Sequence, residues 1–490
     1  MNGQASGIAG GSGNPVLLDA IALSAAIHSR QLSCEEVMGA FLQHIAACNP
    51  HVNAIVSLRY PEVLLAEARA RDDDLAHGRS RGWMHGFPHA IKDLAATAGL
   101  RTTLGSPLFK DFVPVADTVG VERIRRQGAI IIGKTNVPEF GMGSQSYNPV
   151  FGVTRNAYAP ERTAGGSSGG AAAALALRMV PVADGSDMMG SLRNPAAFNN
   201  VLGFRPSYGL VPSAPAPELF LRQLSTEGPM ARTVADLAML LSVQAGYDPR
   251  APLSLDGDCG ALRGPLQRDF RDVRVAYMDD WGGRFAIEPE VRALCRAALP
   301  VFEAIGCTVE EAAPDFPPQQ LWESWLTLRH WLTAGYLGDL FEDPVKRAQI
   351  KPEVRWEIEN GLKLSGLQVY RASVARSAWY EAVRRFFTRY DFLLLTSAQV
   401  LPFDAQTHWP GQINGLTMDT YHRWMEVTVP ASMAGCPVIN VPVGFSAGGL
   451  PAGMQIIGPP RSDLAVLQLA YAYEQATAWV ARYLPGLLRE

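Results

Sequence analysis

The residues with the most chemical potential fall between Thr163 and Gly203, TAGGSSGGAAAALALRMVPVADGSDMMGSLRNPAAFNNVLG. The run Gly165-Gly166-Ser167-Ser168-Gly169-Gly170 is too rich in glycine to be helix or strand and opens an alanine-rich helix; a second small-residue loop ends at Ser191. Two serine-bearing loops therefore sit at the two ends of one helix-and-strand unit. A glycine loop lets backbone N–H groups approach a ligand and holds conformations that other residues resist. Alone it fits a flexible turn, a phosphate cradle or a catalytic loop, but the Gly-Lys-Ser/Thr ending of a phosphate loop is absent, as is a clean GxGxxG before the helix. Upstream, Phe87-Pro88-His89-Ala90-Ile91-Lys92-Asp93 reads as a short, largely apolar strand with one lysine near its end. An isolated lysine ordinarily faces water. Held among apolar neighbours, its charged form is disfavoured, its pKa falls and it can accept a proton.

Other chemistries find little support. The six cysteines (Cys34, Cys48, Cys259, Cys295, Cys307, Cys436) form no CxxC pair and read as free, buried thiols. The nine histidines form no HExxH or similar cluster, which argues against metal-dependent hydrolysis, and no cofactor or metal is expected. Apolar residues make up 48%, charged residues 18%, and the net charge is −4, ordinary for a soluble globular protein. No basic run suggests a nucleic acid partner. The longest apolar stretch, around Ala171 to Ala183, is interrupted by Arg178 and Pro181 and is too short to span a bilayer, so no membrane association is expected. The first fifteen residues lack the charged and apolar regions of a secretory signal. A flexible tail over residues 1–16 and a cytoplasmic location are the corresponding expectations.

The elements that must position these groups alternate between helix and strand. Helices are expected over 17–29, after the capping box Ser33-Cys34-Glu35-Glu36, and from Pro61 toward Leu75. A helix over 118–127 followed by the strand Ala129-Ile130-Ile131-Ile132-Gly133 is what a βαβ layered core produces. Strand 272–278, helix 288–305 and strand 307–311 suggest a further βαβ unit. From Pro314 to about Tyr421 the chain reads as helical and rich in large side chains: Trp322, Trp325, Trp331, Tyr336, Phe341, Trp356, Tyr370, Trp379 and Tyr380, expected mainly in the core. Two buried strands around Cys436–Phe445 and Gly453–Gly458, turning at 447–449, precede a helix over 463–476. With no repeat and no polar linker, residues 17–490 are expected to form a single domain.

Three segments together resemble the amidase signature hydrolases: His89-Ala90-Ile91-Lys92-Asp93, the GGSSGG run at 165–170, and Asp187-Met188-Met189-Gly190-Ser191-Leu192-Arg193. The intervals also resemble that family, 75 positions from Lys92 to Ser167 (167 − 92) and 24 from Ser167 to Ser191 (191 − 167). The resemblance runs from about Leu17 to the C-terminal segment. It implies an α/β fold with a large mixed β-sheet core flanked by helices on both faces, plus a helical, aromatic-rich variable segment at about 314–421. It also implies a Ser-cisSer-Lys triad. Ser191 would attack the carbonyl, Ser167, held by a cis peptide after Gly166, would relay the proton, and neutral Lys92 would be the base.

The same resemblance makes the backbone N–H groups of Met188, Met189, Gly190 and Ser191 the candidate oxyanion hole. Gly141, Met142, Gly143 and Ser168 become candidate substrate contacts, and Asp187 with Arg193 a charge-paired clamp on the loop. Lys134 and Glu139 are assigned to the scaffold. The chain departs from the usual pattern, in which Gly-Gly-Ser stands where this one has Met189-Gly190-Ser191 and a Thr or Ile where it has Met188. Methionine at 189 would be strained if that position needed a positive φ. Two methionines there would narrow the acyl site and favour an apolar, aryl substrate. The implied reaction is hydrolysis of carbon–nitrogen bonds in small apolar amides, anilides or carbamates by a monomer or homodimer. The alternative is the glutaminase-type subunit of a transfer-RNA amidotransferase complex.

Overall fold

Two strands frame the lysine. In the computed structural model, which describes residues 14–489, Pro88–Lys92 pairs in parallel with Ile130–Thr135 through the helix Val119–Arg126, and Ile55–Val56 adds antiparallel to Ile130–Thr135. Every residue of Pro88–Lys92 and Ile130–Thr135 is buried. The β-branched triplet Ile130-Ile131-Ile132 suits such a strand, since branched side chains pack well on a pleated surface covered on both faces.

The larger sheet has eight strands. Across it run Thr308–Glu311, Arg274–Tyr277, Phe392–Thr396, Pro451–Ile457, Val438–Phe445, Leu202–Arg205, Thr226–Ala231 and Ala183–Asp187. The first three are parallel to one another and the remaining pairs antiparallel, which makes the sheet mixed. The parallel pair at one edge is connected by the helix Pro289–Ile305, the βαβ unit expected from the sequence.

Alternate side chains feed two cores. Leu394, Ile439 and Ile456 enter one with Leu237, Leu467 and Phe302, while Leu393, Leu395, Val438 and Ile457 enter the other with Trp322, Trp325, Trp379 and Trp424. This is the period-two geometry of a strand, with helices packed on both faces of the sheet. The second core rests heavily on tryptophan. Trp325 is fully buried, and truncating such a side chain to alanine costs about 3–5 kcal/mol.

The aromatic segment differs in part from its sequence reading. Helices Pro318–Glu342, Pro344–Gln349, Pro352–Gly361 and Gly366–Phe386 fill most of it, but Phe392–Thr396 is a strand inside the eight-stranded sheet. Trp322, Trp325, Phe341 and Trp379 are buried and Trp331 and Trp356 half-buried, whereas Tyr336, Tyr370 and Tyr380 are exposed. The capping box is present: Ser33 Oγ accepts from the Glu36 N–H while the Glu36 carboxylate accepts from the Ser33 N–H, satisfying two donors at the helix start. Five cysteines are buried free thiols and Cys259 is half-buried. The expected tail lies largely outside the described residues, yet Pro15–Leu17 forms a 3-10 turn with Val16 buried, so structure begins before Leu17. Among the described residues, no helix is long and apolar enough to cross a membrane.

Candidate active site

Three elements converge on one amine. Lys92 ends the strand Pro88–Lys92, Ser167 and Ser168 precede the helix Gly169–Ala176, and Ser186 lies on the strand Ala183–Asp187. Lys92 Nζ stands 2.9 Å from Ser167 Oγ, 2.8 Å from Ser168 Oγ, 3.0 Å from Ser186 Oγ and 3.2 Å from the Ser186 carbonyl oxygen. The peptide bond between Gly166 and Ser167 is cis. The helix behind the loop approaches its neighbours closely: a Cβ on Gly170 would lie 2.3 Å from Asn136 N and 2.6 Å from the Ala54 carbonyl oxygen, so only glycine fits.

Burial decides the protonation of Lys92. It is 2% exposed, and desolvation pushes its pKa down to about 7, although Asp187, Asp184 and Glu227 pull the other way. Uncharged, the amine has two N–H donors and one lone pair, and the lone pair can accept the hydroxyl proton of Ser167. Asp184 fixes the strand end by accepting from the Lys92 backbone N–H at 3.2 Å, and it also pairs with His89 Nε2 at 3.1 Å.

Ser191 sits on the turn between the strand Ala183–Asp187 and the helix Arg193–Phe198, 8% exposed, and lines the same cavity as Lys92 and Ser167. Its carbonyl accepts from the Ser168 N–H at 3.1 Å, which ties the two serine loops together. Among the described residues its hydroxyl has no hydrogen-bond partner. The Ser167-to-Lys92 link is thus made, and the Ser191-to-Ser167 link is not. Catalytic hydrogen bonds in unliganded proteins are often loose and tighten when substrate binds.

Asp187 and Arg193 bracket this turn. Arg193 donates to the Asp187 carboxylate from Nε at 3.0 Å and Nη2 at 2.7 Å, and its other contacts reach Gln455 Oε1, Ser432 Oγ and the Thr428 carbonyl. Burial alone would raise the Asp187 pKa, yet the charges of Arg193 and Arg205 and the bonds it accepts hold it well below the usual carboxylate range. The Asp187 carboxylate also accepts the Gly190 N–H at 2.9 Å and the Leu192 N–H at 3.0 Å. This corrects one expectation: the Gly190 N–H is engaged by Asp187 and is not free for an oxyanion. The N–H groups of Met188, Met189 and Ser191 have no acceptor among the described residues. The positive φ falls on Gly190, at 83°, and not on Met189, so methionine is unstrained at its position.

The cavity measures about 360 Å³. Gly141, Met142 and Gly143 line it, as do Met188 and Met189. Ser168, expected among the substrate contacts, is fully buried and outside this lining; its hydroxyl is taken by Lys92. Lys134 is likewise buried, its Nζ bound to the Ala95 carbonyl at 2.6 Å and Thr97 Oγ1 at 2.8 Å, and Glu139 accepts from Ser106 Oγ and the Lys351 N–H. Both brace the loops around the cavity. Sequence reasoning missed Ser186 and Asp184, although both lie on the strand leading to Ser191. It also missed the buried group Arg329, Glu357, Tyr421 and His422. The signal for Arg329 was a charge among the apolar positions of an aromatic helix.

A buried lysine bound to serine hydroxyls on a glycine-rich loop, beside a second serine at a strand-to-helix turn, defines an amidase signature enzyme. The chain belongs to that family: residues 36–467 match the Amidase family model. It is 36% identical over 472 residues to a subunit of the glutamyl-tRNA(Gln) amidotransferase of Thermosynechococcus vestitus, covering 92% of this chain and 96% of that one. It is 33% identical over 468 residues to an acylamidase of Rhodococcus erythropolis, covering 94% and 96%. Among solved structures, a bacterial aryl acylamidase superposes with a TM-score of 0.88 at 30% identity, covering 95% of this chain and 97% of that one. The protein is accordingly an amidase-family hydrolase acting on carbon–nitrogen bonds.

Proposed function

We propose that this chain is a free-standing amidase that cleaves small apolar amides, anilides or carbamates through a serine acyl-enzyme. Ser191 Oγ bonds to the carbonyl carbon while its proton passes through Ser167 to the Lys92 amine. The carbon–nitrogen bond then breaks, and the proton returns along the same path to the leaving nitrogen. Water repeats the sequence and releases the acid or, from a carbamate substrate, a carbonic acid half-ester that loses carbon dioxide to leave the alcohol. The N–H groups of Met188, Met189 and Ser191 are the available donors for the oxyanion. The observation that carries this reading is Lys92, brought down to about 7 by burial and hydrogen-bonded to Ser167 at 2.9 Å.

The apolar substrate class rests on the cavity wall, where Leu94, Phe140, Met142, Met188 and Met189 meet the reacting groups. Similarity to the aryl acylamidase and the acylamidase supports the same class. A fluorophosphonate probe tests the nucleophile: labelling of the intact protein and none after Ser191→Ala is expected, and labelling that survives the substitution rules Ser191 out.

The 36% identity to an amidotransferase component supports a second reading, a glutaminase that works within a complex. Purified chain alone, assayed on a chromogenic anilide and on glutamine, separates the two. Turnover of the anilide without a partner is the expected result, by a monomer or homodimer that needs no nucleic acid.

A further inference from the structure

One wall of the cavity carries polar groups that the hydrolytic steps do not use. Arg329 and His422 both line it, 5% and 2% exposed. Arg329 donates from Nε to Glu357 Oε1 at 2.5 Å and from Nη2 to the Tyr421 hydroxyl at 2.7 Å. Its remaining hydrogen-bond contacts are thioethers, Met142 Sδ at 3.2 Å from Nη2 and Met188 Sδ at 3.4 Å from Nη1, and the guanidinium lies over the Trp325 ring at 5.8 Å. A thioether is a weak acceptor for any of the five N–H groups of a guanidinium, and buried donors normally find oxygen. Both methionines line the cavity themselves. His422 stacks on Tyr421 with ring centroids 4.5 Å apart, and neither of its ring nitrogens has a hydrogen-bond partner among the described residues, Nε2 lying 3.9 Å from Glu357 Oε1. Burial, with Arg329 nearby, pushes its pKa down to about 3, so the ring is neutral and offers one donor and one acceptor.

Charge narrows what this wall can take. Arg329 already has a fully buried counterion in Glu357, which also accepts from His330 Nδ1 at 2.6 Å and from the Tyr421 hydroxyl at 2.7 Å. A substrate carboxylate would add a second buried negative charge to a balanced pair, and an ammonium would face Arg329; each is costly to desolvate. A neutral oxygen meets neither obstacle. Resting on the amidase reading, we infer that Arg329 and His422 form a subsite for a neutral oxygen acceptor carried by the substrate away from its scissile amide, where it displaces the Met142 and Met188 thioethers.

Calorimetric titration of the Ser191→Ala protein with 4-acetylbenzamide and its isostere 4-isopropenylbenzamide, and with the corresponding 4-substituted acetanilides, offers the oxygen from either side of the amide. The ketone is expected to bind about tenfold more tightly in at least one series, the scale of a hydrogen bond from a charged donor. His422→Phe, and the double variant Arg329→Leu/Glu357→Leu that removes both charges together, should each bring the ratio toward one. Equal affinities in both series overturn the subsite, as does a preference that His422→Phe leaves intact; that single variant decides the matter if the double variant does not fold. Turnover of the same amides by the intact protein is read separately. No hydrolysis alongside a retained ketone preference sinks the amidase reading and leaves the subsite standing.

Discussion

Arg193 grips Asp187 with two N–H···O bonds, 3.0 Å from Nε and 2.7 Å from Nη2, at the two ends of the turn that carries Ser191. Both side chains are fully buried, and Arg205 lies 3.5 Å from the same carboxylate. The pair shapes the turn because the carboxylate also holds the Gly190 and Leu192 N–H groups.

Removing the negative charge leaves two buried guanidinium groups without their counterion. Asp187→Asn is therefore expected to cost about 3–5 kcal/mol, read from the urea midpoint at constant slope. The sign with pH follows from the depressed pKa. The stability contributed by Asp187 is complete above its unfolded value of 3.8 and is lost as pH falls below it. The asparagine variant should lack that part of the acid dependence, and an unchanged midpoint would remove the clamp from the account.

Gly190→Ala tests the shape of the same turn. Its φ is 83°, and an added Cβ would lie 2.7 Å from both Met425 Cε and Thr428 Cγ2. Strain of this kind costs on the order of 1–3 kcal/mol, and a displacement of about 1 Å at a nucleophile can cost 100-fold in rate. A fall in kcat of about 100-fold with a modestly lower Tm is expected. Wild-type kcat would show that the turn tolerates the clash.

In the proposed mechanism Lys92 sets the pH profile. The amine must be uncharged to take a proton, and its pKa stands at about 7. The rate should therefore be low in mild acid and rise through a single limb centred near pH 7, with kcat/KM as the measurement. Lys92→Ala should lose that limb together with most of the activity. A limb that persists in the variant would move the base elsewhere.

The parts of the site legible in the sequence are those where chain spacing and residue type coincide. Ser167 and Ser191 flank a single helix-and-strand unit, and Lys92 ends an apolar strand that had to be buried. Arg329, Glu357 and Tyr421 are joined only by tertiary packing, from separate segments between 28 and 92 residues apart, so no local pattern announces them. The strand Phe392–Thr396 hides within a helical reading for a related reason. A five-residue apolar run, FLLLT, buried on both faces has no periodicity to separate strand from helix. Ser168 escapes because the sequence locates a hydroxyl on a loop without saying which side of the loop faces the cavity.

Met189 lines the cavity beside Ser191, which in the proposed mechanism is the acyl end. It is 4% exposed, packs in the tryptophan-rich core and lines the cavity two residues before Ser191. Its backbone is free of the positive φ that would have demanded glycine, so the side chain can be removed without relieving strain. Met189→Gly deletes apolar surface from the wall and loosens the backbone by about 0.5–1 kcal/mol or more. A pocket that differs by a few methylenes discriminates substrates by roughly 10–200-fold. The variant should therefore lose relative kcat/KM for aryl amides against short aliphatic amides by about tenfold or more, measured on benzamide and propionamide with the same protein preparation. A ranking that does not move would show that Met189 is only core, and that aryl preference, if present, is set by Met188, Phe140 or Leu94 on the remaining wall.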